Sequence, residues 1–398
     1  MKTIIKLNLI SVILILGCTS VQPVLKPYVA PANQIQEPAL FFYNLPQTSI
    51  EFEIKIKQTQ YYRGPYYQYG EKFLGLKTQS IIQNNSKEFS IVSISSKTIT
   101  TPDSSQWYGY VSPSQAMASF FLNNQNVLMA INSAPSTSNQ SQSQNFDGYE
   151  IPQPVELEGF FYDVSMQNMV EEEIRTVYRH IKRDSIETKI PTKETVKVQR
   201  NPEELSRLAA EFIQKIRNLR FELSAGLYET FPEGESLKIS IQELYSVEQR
   251  YLQLFTGFSK DTIYTYRFVV TPDNSAQPFT QTIFYFDEID GPTLINKKIP
   301  YRNNNRNQHV EVEVSCPINN IKSKVTFPGG IVYRIPGLCN VEISHQNKIL
   351  YKTQHSINQK GTLMQLPHDV TRIPEIEIEY DPSTGNIQKI KLPDTRKK

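Results

Sequence analysis

Cysteine is scarce: Cys18, Cys316 and Cys339 are the three in 398 residues, which excludes a scaffold stapled by many disulfides. No Cys-x-x-Cys pair occurs and the five histidines are scattered, so no metal site is expected. Charge of one sign is missing as well. The 42 basic and 40 acidic residues leave a net +2, without the basic footprint that nucleic-acid binding requires. Neither the nucleophile-elbow pattern Gly-x-Ser-x-Gly, nor His-Glu-x-x-His, nor a phosphate loop is found, so no catalytic residue and no cofactor is nominated. Tryptophan is reduced to Trp107, but 22 Tyr and 20 Phe accompany abundant Ile, Val and Thr, a composition that favours strands.

The N-terminus carries an address. Lys2 and Lys6 precede the apolar stretch Leu7 to Leu16, and Ile15-Leu16-Gly17-Cys18 closes it in the pattern of a bacterial lipoprotein signal. A membrane span needs about 20 apolar residues, so this stretch reads as a removed signal and not as an anchor. The anchor would be lipid, palmitate among its acyl chains, on the Cys18 sulfur. Each buried methylene contributes about 0.8 kcal/mol, and the chains of a bacterial lipoprotein together hold firmly. Thr19 follows the cysteine where an inner-membrane retention signal would place Asp, which favours the outer membrane. Pro23, Pro27, Pro31, Pro38 and Pro46 then predict an extended tether.

Beyond the tether, Ile50, Phe52, Ile54 and Ile56 alternate with Glu51, Glu53, Lys55 and Lys57, a strand with one buried face. Pro65 to Gly75 predicts a short aromatic helix, and Ser80 to Gln83 and Glu88 to Thr100 further strands. The segment Met166 to Lys189 places Glu171, Glu172 and Glu173 before Arg175, Arg179, Lys182 and Arg183, an order that suits a solvated helix. Asn201-Pro202-Glu203-Glu204 reads as a helix start, followed by Leu205, Leu208, Ala209, Phe212, Ile216 and Leu219 at helical spacing. A second helix runs from about Ser236 to Gly257. Glu248 falls on its apolar stripe and needs a partner, which Arg217 or Arg220 can supply as a structural ion pair.

From Asp261 the pattern returns to strands, at 262–271, 279–286, 310–315, 324–327, 341–345 and 376–380, with turns at Pro328-Gly329-Gly330 and Asp381 to Gly385. Cys316 and Cys339 either form a cross-strand disulfide, which an oxidising envelope permits, or remain two buried thiols. The expected architecture is α+β, with two β-rich, sandwich-like regions flanking a helical hairpin. Its divisions are a signal peptide (1–17), a lipidated Pro-rich tether (18–46), an N-terminal β-rich region (47–190) with a polar loop at 133–145, a helical hairpin (191–258) and a C-terminal β-rich domain (259–398).

Four segments together resemble a family of envelope proteins known as the domain-of-unknown-function 4831 family. They are Lys57 to Gly75, with Arg63-Gly64-Pro65-Tyr66; Leu244 to Gly257; Gly330-Ile331-Val332-Tyr333-Arg334-Ile335-Pro336-Gly337; and Gly361-Thr362-Leu363-Met364-Gln365-Leu366-Pro367. The resemblance implies a Bacteroidetes-type envelope protein and no activity, and it supplies no functional residues.

Two functions follow as expectations. The first is a non-enzymatic outer-membrane lipoprotein that docks on another envelope protein or on surface polysaccharide. The second is a glycan-binding or glycan-active surface lipoprotein, in which acids such as Asp287 and Glu288 beside aromatic platforms would hold or cleave sugars. Asp287, Glu288 and Asp290 lack the ligand spacing of a calcium loop and otherwise read as a turn. Arg334 could bind a carboxylate or phosphate, although a cross-strand pair is its commoner use.

Overall fold

The structure is a computed structural model that describes residues 27–112, 118–135, 170–183, 186–227, 234–275, 277–295, 308–317 and 325–393. In chain order its strands are β1 (Tyr28–Pro31), β2 (Phe41–Tyr62), β3 (Ser86–Val111), β4 (Phe120–Leu122), β5 (Leu128–Ile131), β6 (Val170–Arg183), β7 (Ile186–Gln199), β8 (Phe258–Val270), β9 (Phe279–Asp287), β10 (Gly291–Leu294), β11 (His309–Ser315), β12 (Val332–His345), β13 (Lys348–Gln365), β14 (Glu377–Tyr380) and β15 (Ile387–Lys391). The helices are α1 (Gly70–Leu74), α2 (Pro202–Ala225) and α3 (Glu235–Thr256). The fold is α+β and rich in antiparallel sheet, as the composition predicts.

The largest core lies between two sheets. One has the order β1-β3-β2-β8 and the other β10-β9-β11-β12-β13. The alternation read in β2 places Ile50, Phe52, Ile54 and Ile56 fully inside, against Phe284, Val310, Val312, Val314, Val341 and Ile343. Each such side chain contributes about 1.5–3 kcal/mol by leaving water. Strands from the regions 47–190 and 259–398 are hydrogen-bonded into common sheets: β8 pairs with β2 along its whole length, and β14 pairs with β5.

A second core gathers Val29, Tyr43, Tyr108, Tyr110, Ile131, Ile331, Val332 and Ile378. The Tyr43 hydroxyl, fully buried, donates to the Val332 carbonyl at 3.2 Å and accepts from the Val332 amide at 2.9 Å. The predicted tether 18–46 is therefore corrected in its second half. Residues 28–31 form β1, paired with Tyr108 to Val111, and residues 41–46 begin β2. The prolines fit because they occupy tolerant positions: Pro31 ends a four-residue edge strand, and Pro46 sits at an irregularity of the β2–β3 pairing.

The predicted charged helix at 166–189 is a second correction. Its described part belongs to a two-stranded hairpin in which β6 pairs residue by residue with β7, from Val170 with Gln199 to Arg183 with Ile186. Ile174, Thr176, Val177 and Tyr178 stand opposite Thr195, Lys193, Thr192 and Pro191, so the β-branched and aromatic content outweighs the acid-first, base-last order. The expected helical hairpin narrows accordingly to α2 and α3.

Several local expectations are met. Asn201 caps α2, its side chain accepting from the Glu204 amide at 2.8 Å. α1 ends at Gly75, whose φ of +61° is the left-handed conformation glycine tolerates. No strand forms at Ser80 to Gln83, where a 3-10 turn (Thr78–Ser80) brings the Ile82 amide to the Thr256 carbonyl at 2.8 Å. β13 carries little signal of its own, because its first half lies on a sheet edge where apolar and polar residues are mixed and none is fully buried before Ile357.

Candidate functional site

Cys18 and the signal lie outside the described residues, as does most of the polar loop 133–145. The four family-like segments, separated in sequence, meet in pairs. Arg63 to Tyr66 abuts the end of α3: the Tyr66 amide donates to the Leu254 carbonyl at 2.8 Å and the Tyr66 and Phe255 rings lie 5.6 Å apart. Gly64 and Gly257 make that approach possible, since a Cβ on Gly64 would lie 2.4 Å from the Leu254 oxygen and one on Gly257 2.3 Å from the Tyr62 oxygen. Likewise Tyr333, Arg334 and Ile335 of β12 pair with Met364, Leu363 and Thr362 of β13. These segments build junctions between elements.

Glu248 is 3% exposed in the middle of α3, and α2 delivers both predicted arginines to it. Arg217 Nε donates to its Oε1 at 2.7 Å and an Arg220 nitrogen lies 2.5 Å from Oε2. The Arg220 guanidinium also covers the Tyr245 ring at 5.3 Å. The cluster fixes the register of the two helices. Glu248→Ala is expected to cost about 2 kcal/mol, because two charge-assisted contacts are lost while the partly exposed arginines regain water. Chemical denaturation monitored at 222 nm would register the loss, and Glu248→Gln is expected to fall between the two.

Arg334 is deeper, 3% exposed, and faces Asp103 of β3 at 3.6 Å. Its guanidinium also donates to the Pro46 carbonyl and to Gln106 Oε1, each at 3.3 Å. Burial pulls its pKa below the ordinary arginine value, and the Asp103 carboxylate opposes that pull. Its donors are therefore engaged within the protein. Cys316 and Cys339 are joined as a disulfide across β11 and β12, with Cα atoms 4.2 Å apart. Their strands' register, Ser315 opposite Asn340, puts the two side chains face to face.

One polar cluster has no counterpart in the sequence reading. Ser96 of β3 lies 2.7 Å from His355 Nε2 and 2.9 Å from the Tyr351 hydroxyl, both on β13. It joins the edges of the two large sheets. Nothing local signals it, because the partners are 255 and 259 positions away. Burial lowers the His355 pKa, since charging the ring would cost hydration. Its sign in stability is definite: with the folded pKa below the unfolded value of about 6.5, the unfolded chain binds more protons in that window. Stability should therefore be full above the unfolded value and decline as pH falls towards the folded one. Denaturation midpoints measured across that range in the parent and in His355→Asn should differ in slope, the variant being flatter.

Asp287, singled out with Glu288 and Asp290, is used within its own turn. One carboxylate oxygen accepts from the Ile289 and Asp290 amides at 2.8 and 3.0 Å, and the other from Gln308 at 3.2 Å. Among the described residues no group of three His, Cys, Asp or Glu side chains could hold a metal ion, and no helix is long and apolar enough to cross a membrane.

The exposed chemistry is on the β6–β7 hairpin. Every residue from Glu172 to His180 is exposed, including Ile174 at 67% and Tyr178 at 60%. The hairpin forms a sheet of its own, separate from the other three. Arg179 of β6 reaches Glu194 of β7 at 2.8 Å across the hairpin, and Arg175 pairs with Glu173 along β6 at 2.9 Å.

A family model described as a domain of unknown function (DUF4831) matches residues 41–161 and 149–388 of the chain. No curated protein and no solved structure matches it.

Proposed function

The chain belongs to the DUF4831 family, and because that membership names no activity, we propose from sequence and surface that it is a lipid-anchored outer-membrane protein whose body docks on another envelope component. The observation that carries docking is the β6–β7 hairpin. A lone two-stranded ribbon is marginal in water, and this one leaves Ile174, Val177, Tyr178 and Ile190 exposed. A partner laid on one face would cover Ile174 and Tyr178, which lie on the same side of β6, and supply the stability that a packed face normally gives.

The anchor rests on Lys2, Lys6, the apolar stretch and Gly17-Cys18. With β1 starting at Tyr28, the stretch after Cys18 is about ten residues and spans at most about 35 Å. The start of the folded body is thus held close to the membrane. A glycan-active reading through Asp287 and Glu288 has weaker support, because the Asp287 carboxylate is committed to its turn.

Metabolic labelling with an alkyne analogue of palmitate, followed by outer-membrane fractionation, tests the anchor. The parent chain should carry label and sediment with outer membrane, whereas Cys18→Ala should lose both. An unlabelled parent, or a Cys18→Ala form that fractionates identically, would remove the lipoprotein reading.

A further inference from the structure

We infer that β8 is a self-association edge: it pairs antiparallel with β8 of a second copy about a two-fold axis at Tyr264. In its sheet β8 is terminal, and its thirteen residues run beside β2 in unbroken register from Phe258 opposite Tyr62 to Val270 opposite Ile50. Edge strands invite pairing, and proteins usually protect them by shortness, proline, bulges or charge. Apart from the charged two-stranded hairpin of β6 and β7, the other terminal strands show such protection. β1 and β10 have four residues each and carry Pro31 and Pro292, β4 has three residues, and β15 has five with Lys389 and Lys391. β13 is interrupted by two register irregularities against β12. β8 has neither proline nor bulge, and it exposes Ile263 at 56% and Val269 at 50% on its outer face.

Charge identifies the occupant as a second copy. About an axis at Tyr264, Asp261 of each chain lies opposite Arg267 of the other, Ile263 opposite Thr265, and Ser259 opposite Val269. Directly opposed residues of an antiparallel pair share a face, so the acid and base meet twice on the outer face. Moving the axis by one residue either way separates them. Lys260, the remaining charge, then stands opposite Phe268 and meets no like charge. Within the chain, Asp261 accepts from Thr59 at 2.7 Å and sits 3.5 Å from Lys57, while Arg267 reaches Glu53 at 3.2 Å. Those contacts come from the β2 side and hold both side chains in place, with 53% and 41% of their surfaces still open. The result would be one continuous sheet across two copies.

The test is a charge exchange in the full-length chain carrying Cys18→Ser, read by sedimentation velocity with circular dichroism as the check on folding. The parent should dimerise. Arg267→Glu and Asp261→Lys should each weaken self-association by on the order of tenfold or more, because each sets like charges opposite twice. Mixed in equal amounts, the two variants should recover a dimer, since Asp261 of one then meets Arg267 of the other and the introduced Glu meets the introduced Lys. A folded parent that remains monomeric, variants that stay as dimeric as the parent, or a mixture without recovery would each overturn the inference. A strand from a different protein would show itself as a monomeric parent.

Discussion

Replacing Arg334 with alanine is expected to lower the unfolding free energy by about 3–5 kcal/mol, a large share of the stability of a typical domain. The cause is what remains behind. Asp103 is 1% exposed, and without the guanidinium its charge would stay buried with no compensating cation. Pro46 and Gln106 would lose a donor in the same step. Asp103→Ala should be comparably severe, because it strands the arginine. The pair is replaceable in principle: Asp103→Leu with Arg334→Met should recover stability to within about 1–2 kcal/mol of the parent, since an apolar pair has no desolvation cost to offset. Urea denaturation of the parent, Asp103→Leu, Arg334→Met and the double variant closes a double-mutant cycle, and the double variant is expected to lose far less stability than the sum of the two singles.

Gly330→Ala and Gly361→Ala are expected to be the other severe changes. A Cβ at Gly330 would lie 1.5 Å from the Leu366 oxygen, and one at Gly361 1.9 Å from the Ile335 oxygen. Both obstacles are backbone, so no side-chain rotation relieves them. The strands would have to separate where β12 and β13 rejoin, beside Arg334, and the expected loss is about 3 kcal/mol or more, with poor recovery of folded protein. Gly75 provides the contrast. Its φ is +61° but nothing lies within 4 Å of the point a Cβ would occupy, so Gly75→Asn should cost well under about 1 kcal/mol and Gly75→Val more. Thermal denaturation of the set would separate steric from conformational cost.

Local patterns are legible where the signal is local. The alternation of β2, the Asn201 cap, the Gly75 stop and the partnership of Glu248 with Arg217 and Arg220 all follow from spacing, because each depends on neighbours or on one helix facing the next. Three things do not. Pro31 and Pro46 suggest a tether, since proline density does not reveal that the residues between will be claimed by an edge strand and a bulge. The first strand of the β6–β7 hairpin reads as a helix because its acid-then-base order matches a helix dipole, whereas Ile174, Thr176 and Val177 favour a strand only once β7 is recognised as the partner. Arg334 with Asp103 and Ser96 with His355 are joined across more than 200 positions, and such pairings follow from topology alone.

The polar groups that most resemble sites thus serve as braces between sheets and helices, while the solvated hairpin presents exposed apolar side chains. A photoreactive amino acid placed at Ile174 in the living cell tests that division most directly, with Ser95, exposed on β3 opposite Glu53, as the reference position. Illumination should yield a discrete adduct with one envelope component from position 174, the same adduct from position 178, and none from position 95. Identical patterns from all three positions, or no adduct from the hairpin, would contradict docking through β6 and β7.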